Sequence, residues 1–361
     1  MIDRRTILQG SLATGVAALA PLPASARAVK DDPLIDAFVK ANGFTGTIVR
    51  AKAGKLLYAR NFGMADIAAA RPATTDTVYG IASISKFLTS VTVLKLVEAG
   101  RLSLDAPIAT LLPGYRADTG AKVRLAHLLS NTSGIPNDYI AALKAEPALL
   151  TTDIGTADSV RRFASGDLAF EPGAKFDYAM TNWFLVIAIV EAATGKPFQQ
   201  AMRAITLDPL GLAHTSAAAG VEIAPGAALS YRTLEPPVEW PNPRTPITAA
   251  SGGYYSNAPD LVRAGHLVFD AGFLSPASLQ ALRTVRVPDQ DYALGGRVRT
   301  MTIGGKPVEA AWETGRTAGY RTLLAHRYDT REAMVLLNNS GISQKAIDLF
   351  TDSLFGAEPR A

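Results

Sequence analysis

Strand-like stretches lie only at the two ends of this chain, and helix and loop fill the middle. Near the start, residues 44–49 and 55–60 alternate in hydropathy around an Ala53-Gly54 turn, the pattern of a hairpin. Near the end, residues 297–303, 308–312, 320–328 and 332–338 repeat it, with Gly304-Gly305 suited to a tight turn between the first two. Residues 30–42 and 342–355 read as amphipathic helices outside these strands. Between them the helical signals are 87–100, closed by Gly100, then 123–131, 158–164, 182–194, closed by Gly195, 197–205, 258–270 and 275–283. Residues 208–250 are rich in Pro and Gly and show little periodicity. The economical architecture is an α/β fold of the α+β type. One antiparallel sheet is built from both termini and flanked by helices, with a mostly helical lobe inserted. The expected limits are a sheet lobe at about 29–95 and 290–361 and a helical lobe at about 96–289.

The first 28 residues read differently. Asp3-Arg4-Arg5-Thr6-Ile7-Leu8 is a twin-arginine run, followed by a mildly apolar segment and then small residues ending Ala26-Arg27-Ala28. This is the layout of a cleaved twin-arginine export signal, which predicts a periplasmic or secreted protein cut after Ala26 or Ala28. The apolar run is short for a membrane span and contains Gly10, Gly15 and Pro21. Arg4, Arg5 and Arg27 against Asp3 give this segment +2 of the chain's formal +4, so the remainder carries too little positive charge to suggest nucleic acid. The chain has no cysteine, which removes disulfides, thiolate metal sites and a cysteine nucleophile. The four histidines lack metal-ligand spacing, and no Gly-x-Ser-x-Gly or phosphate loop occurs. No metal and no cofactor is expected.

Chemistry concentrates at Ser83-Ile84-Ser85-Lys86, at the head of an apolar helix. Ser83 and Lys86, three apart, share a face, whereas Ser85 and Lys86 do not. A serine in the first helical turn has unpaired backbone N–H groups and the positive end of the macrodipole beside it, which suits a nucleophile flanked by an oxyanion. For Lys86 to act as a base near neutrality its pKa must fall by roughly three, worth about 4–5 kcal/mol, which burial can supply. A capping serine followed by a solvated lysine is the plainer alternative. Pro172-Gly173 presents Tyr178 just before a helix, and a phenol beside a cation can relay a proton. In 311–316 (AWETGR), a strand ending in Thr314-Gly315 can lay its backbone beside a substrate. The N–H groups of Ser83 and Arg316 would then form an oxyanion hole. Trp312 and Tyr254 either wall an acyl pocket or pack in the core, and His127 reads as a satisfied core histidine.

These stretches resemble the serine beta-lactamase-related family, which includes class C beta-lactamases, D-alanyl-D-alanine carboxypeptidases and esterase relatives. The matching pieces occur in order: 83–86, 123–134 (VRLAHLLSNTSG), 172–178, 194–198, 208–216, 250–260, and Thr314-Gly315 with Gly319-Tyr320. The resemblance covers about residues 30–355 and implies the same fold. It also implies that Ser83 is acylated, that Lys86 is its proton partner and that Tyr178 is general base and acid. Two positions depart from the family pattern. Met180 stands where the family usually has the Asn of Tyr-x-Asn, and Glu313 stands where it has Lys or His before Thr-Gly. With unit charges about 4 Å apart at an effective dielectric near 20, that replacement reverses an interaction of about 4 kcal/mol, unless Glu313 is neutral or paired with Arg316 or Arg321. Substrate contacts are therefore expected at Met180, Trp312, Glu313, Thr314 and Gly315. The expected partner is a small ester, amide or peptide, with an ester or amide lacking an adjacent carboxylate ranked first. A D-alanyl-D-alanine carboxypeptidase or beta-lactamase is the second reading, and a non-catalytic binder of cell-wall fragments the third.

Overall fold

The structure, a computed structural model, describes residues 32–217, 224 and 226–358. The proposed export signal lies outside the described residues. Asp32 caps helix α1 (Pro33–Asn42) by accepting the Leu34 N–H at 3.0 Å, and Gly43 closes it in the left-handed conformation. The hairpin follows as β1 (Gly46–Lys52) and β2 (Lys55–Phe62). Its turn needs two positive φ angles, supplied by Ala53 at 47° and Gly54 at 74°. The chain then reaches helix α2 (Ile84–Glu98), passes through the helical region that contains α3 (Met180–Thr194), and returns along α4 (Ala258–Phe269). Strands β3 (Arg297–Ile303), β4 (Lys306–Thr317), β5 (Tyr320–Arg327) and β6 (Glu332–Asn338) come next, and α5 (Gln344–Phe355) follows.

The six strands form one antiparallel sheet in the order β3-β4-β5-β6-β1-β2. The two ends of the chain meet where β6 pairs with β1, from Gly46 opposite Asn338 to Lys52 opposite Glu332. Helices α1 and α5 cover one face, where Phe38 and Phe350 stack at 4.0 Å over Ile48, Trp312, Leu323 and Leu336. The other face carries α2 and α4, with Phe87, Val91 and Leu261 joined to Val49, Leu324 and Val335. Helix α2 is apolar on nearly every side and buried from Ile84 through Leu94, so packing rather than amphipathic patterning holds it. Helix α4 packs on β5, β6 and β1, so residues 258–269 side with the sheet although the sequence reading assigned 96–289 to the inserted lobe.

Strand β4 departs most usefully from expectation. It extends to Thr317 rather than stopping near Trp312, so Glu313, Thr314, Gly315 and Arg316 lie inside a strand. Pairing with β3 ends at Arg297 opposite Trp312. Residues 313–317 therefore pair with β5 alone and leave their other edge open toward α2. Short helices at Ile108–Leu111, Ala117–Lys122 and Asp138–Ala145 escaped the sequence reading, being too short to display a period. No helix among the described residues is long and apolar enough to cross a membrane.

Candidate active site

Ser83 is placed by a sharp turn between a small sheet and α2. Tyr79 and Gly80 pair with Ser256 and Tyr255, and the Ile81 N–H donates to the Tyr254 carbonyl at 3.0 Å. Ala82 then takes a φ of 46°, a conformation that costs a non-glycine residue on the order of 1 kcal/mol. Ser83 occupies the N-cap of α2, yet its hydroxyl makes no capping bond. Its Oγ instead accepts from Lys86 Nζ at 3.1 Å and from the Tyr178 hydroxyl at 2.8 Å. Lys86 is buried, and its Nζ also donates to the Ser251 carbonyl. That ammonium sits 4.8 Å from the Tyr178 ring and 5.4 Å from the Trp183 ring, with no carboxylate in contact among the described residues. Burial is the main cause that lowers the Lys86 pKa, and the charges of Arg244 and Arg297 act the same way. For Tyr178, burial pushes upward, but the Lys86 charge and the hydrogen bonds from Lys86 and Ser83 outweigh it and hold the phenol below its ordinary value. The Tyr178 residue remains 39% exposed, so the cluster opens outward on its side.

The open edge of β4 lies beside this cluster because of a glycine. A Cβ on Gly315 would lie 2.2 Å from both the Ile81 carbonyl oxygen and Thr322 Oγ1, so only glycine lets the strand come this close to the turn before Ser83. Ala318-Gly319 is a two-residue turn between Thr317 and Tyr320, which makes those two a hydrogen-bonded pair. The neighbouring Arg316–Arg321 pair is then the non-bonded kind, and the Arg316 N–H points to the open edge. The Ser83 N–H has no acceptor among the described residues. Two unpaired donors thus lie where β4 comes closest to the turn before Ser83, an arrangement able to hold an oxyanion.

Several expected substrate contacts fall elsewhere. Side chains alternate along β4. Trp312 points to the face covered by α5, where its Nε1 donates to Asp348 Oδ1 at 3.1 Å, and Thr314 lines a 420 Å³ cavity on that face. Arg316 projects to solvent, leaving only the backbone of 314–316 toward Ser83. Tyr254 is a core residue, and Met180 packs partly buried against the core, with its N–H held by Asn137 Oδ1 at 3.3 Å. His127 caps a short helix by accepting the Arg124 N–H at 3.2 Å.

Glu313 turns inward over Gly296, where a Cβ would lie 2.0 Å from its Oε2. It pairs with neither Arg316 nor Arg321; the Arg321 guanidinium donates to the Ala318 and Tyr320 carbonyls instead. Burial raises its pKa to about 8 against the pull of Arg297, so Glu313 is largely protonated at neutral pH and the expected repulsion of anions is mostly absent. Because the folded pKa lies above the unfolded one, the folded state holds the extra proton. Stability is full below about pH 4.5 and is lost as pH rises toward about 8. The loss has an upper limit of roughly 4–5 kcal/mol. Thermal melts from pH 5 to pH 9 are expected to show a declining Tm in the parent and a much flatter curve in Glu313→Gln. Equal slopes would contradict the buried-acid assignment.

The family described as Beta-lactamase matches residues 32–351. This chain belongs to the beta-lactamase family. The beta-lactamase family is one of serine hydrolases, and the chain has its mixed helix and antiparallel-sheet fold. Among relatives, Esterase EstB of Burkholderia gladioli is 34% identical over 203 residues, which cover 53% of this chain and 52% of the esterase. The match therefore spans about half the length of that relative. Penicillin-binding protein 4* of Bacillus subtilis (strain 168) is 26% identical over 326 residues, covering 85% of this chain and 70% of that protein. The crystal structure of a penicillin binding protein from Bacillus halodurans superposes with a TM-score of 0.77 at 24% identity, covering 90% of this chain and all of that one.

This beta-lactamase-family chain also gathers residues that its sequence did not flag. Asn182 joins a buried relay. Ser133 Oγ donates to Asn182 Oδ1 at 2.6 Å, Asn182 Nδ2 to Asn131 Oδ1 at 3.2 Å, and Asn131 Nδ2 to the Tyr292 hydroxyl at 2.9 Å. Tyr292 stands edge-on to Tyr178 at 6.3 Å, and the Arg297 guanidinium lies 5.3 Å over the Tyr292 ring. Arg297 thus places a cation near Tyr178 that position 313 does not provide. Gly295-Gly296 just before it was the available signal, since a glycine pair leaves room for a neighbour's side chain. Asn131 and Ser133 lay within the SNTSG stretch already singled out. Ser251 lay within the 250–260 stretch already singled out, whereas nothing in the sequence pointed to Arg244.

Proposed function

We propose that this chain is an exported serine hydrolase that cleaves a small ester or amide through an acyl-enzyme. The convergence of Tyr178 and Lys86 on Ser83 Oγ, at 2.8 and 3.1 Å, supports this reading above all. Ser83 Oγ attacks the scissile carbonyl carbon and its proton passes to the Lys86–Tyr178 pair. The carbonyl oxygen gains negative charge between the N–H groups of Ser83 and Arg316. When the tetrahedral species collapses, the bond to the leaving group breaks and Tyr178 returns the proton to it. Water, deprotonated by the same pair, then attacks the acyl-enzyme and releases the acid and Ser83.

Hydrolysis of 4-nitrophenyl butyrate tests the reading. Turnover is expected in the parent and is expected to fall at least about 10³-fold in Ser83→Ala. Equal rates in both proteins would sink it. Release of D-alanine from a D-alanyl-D-alanine peptide tests a second reading, that of a carboxypeptidase, which the neutral Glu313 favours because the site no longer repels a substrate carboxylate. A serine-directed phosphonate separates both from a non-catalytic binder, which would take up no label. Export rests on the twin-arginine run of residues 1–28, and a periplasmic form beginning at Arg27 or Val29 is the expected finding.

A further inference from the structure

Arg244 is a cation with no anionic partner among the described residues. Its Nη2 donates to Asn242 Oδ1 at 2.6 Å and to Thr317 Oγ1, and Thr317 Oγ1 in turn donates to Asn242 Oδ1 at 2.7 Å. All of these acceptors are neutral, and no carboxylate pairs with Arg244 among the described residues. Its Nε is buried and unpartnered. A partly buried cation left in this state is costly, which is why such groups normally come paired. Burial lowers the Arg244 pKa, the direction expected for a charge lacking a counter-ion. Its bond to Thr317, the residue after Arg316 on the open edge of β4, places it at the site rather than behind it.

The position of Arg244 along the open edge of β4 decides which part of a substrate it meets. Arg297 marks one end of that edge, opposite Trp312, and stacks on Tyr292 next to Tyr178. Arg244 marks the other end, at Thr317. The Arg316 N–H lies between them. The leaving group must reach Tyr178 to collect a proton, so it occupies the Arg297 end, and the acyl chain is directed toward Arg244. Thr317 is one residue beyond the Arg316 donor, a rise of about 3.4 Å. An acid group bound there sits a few bonds from the scissile carbonyl.

We propose that Arg244 binds a carboxylate at the far end of a short acyl chain, so that the preferred substrates are half-esters or half-amides of dicarboxylic acids with two or three methylenes, the succinyl and glutaryl derivatives. This specificity rests on the acyl-enzyme reading above. A guanidinium suits it, since its planar fork matches a carboxylate with two parallel N–H···O bonds.

The test compares kcat/KM for mono-4-nitrophenyl glutarate and 4-nitrophenyl butyrate, corrected for uncatalysed hydrolysis, in the parent, Arg244→Met, Arg244→Lys and Ser83→Ala. The parent is expected to favour the glutarate at least about tenfold. Arg244→Met should cut the glutarate-to-butyrate ratio by roughly 30-fold, mainly through KM, and Arg244→Lys should restore part of it. A packing defect would depress both esters together and leave the ratio unchanged. A parent without preference, or a ratio unmoved by Arg244→Met, overturns the proposal. If butyrate turnover still depends on Ser83 in that case, the serine hydrolase reading survives. Absence of Ser83-dependent turnover on both esters overturns that reading and this specificity with it.

Discussion

Lys86→Met is expected to lower kcat for ester hydrolysis at least about 10³-fold while leaving the melting temperature unchanged or raised. The two effects separate because Lys86 is buried with no carboxylate partner among the described residues. Its ammonium is held by Ser83 Oγ, the Ser251 carbonyl and the faces of Tyr178 and Trp183. Methionine fills similar space, suits the Trp183 face and ends the desolvation of an amine. Against that, the Ser251 carbonyl loses its donor, at a cost of about 1–3 kcal/mol. The sum stays small, whereas the proton path from Ser83 is cut. A large drop in Tm with a small drop in kcat would assign Lys86 to structure rather than chemistry. Circular dichroism melts and steady-state kinetics on the same preparation decide.

Gly315→Ala carries the second large effect, and here activity and stability fall together. The added Cβ would sit 2.2 Å from the Ile81 carbonyl oxygen, a backbone atom that cannot rotate away, and equally close to Thr322 Oγ1, which itself donates to that carbonyl at 3.1 Å. β4 must then retreat from the turn that sets Ser83. Overpacking of this kind costs about 1–3 kcal/mol or more. The retreat also moves the Arg316 N–H off the oxyanion position, a loss of roughly 10²–10³ in kcat. Gly→Ala at Gly166, outside the sheet, where a Cβ meets nothing nearer than Asp138 Oδ2 at 3.4 Å and the backbone is not left-handed, serves as the control for the exchange itself. If Gly315→Ala retained full turnover, the close approach of β4 would not be what builds the site.

The fold was legible where the sequence carries local chemistry. Ala53-Gly54 and Gly304-Gly305 mark hairpins, Pro33 opens a helix and Gly195 closes one, because each needs a particular backbone angle or lacks a particular donor. The nucleophile pair was legible because three-residue spacing on a helix fixes a shared face. The length of β4 was not. Thr314-Gly315 reads as the end of a strand, and the reason for a glycine inside one is an approach to Ile81, distant in sequence. Trp312 was misassigned because strand alternation puts it on the face opposite Glu313, and only the sheet's layering shows which face meets α2. The charge at Glu313 was legible as a letter but not as a state, since its burial over Gly296 decides whether the proton stays. Arg244 and Arg297 come from segments far apart in sequence, and their placement at the two ends of one strand edge is a property of the fold alone.

The most direct test of the account is the mass of the protein itself during turnover. Rapid acid quench of the parent with excess 4-nitrophenyl butyrate, followed by intact and peptide mass spectrometry, is expected to show one butyryl group on the peptide carrying Ser83 and none in Ser83→Ala. Turnover with no adduct on Ser83, or an adduct of equal yield in Ser83→Ala, would contradict the assignment of Ser83 as the acylated nucleophile.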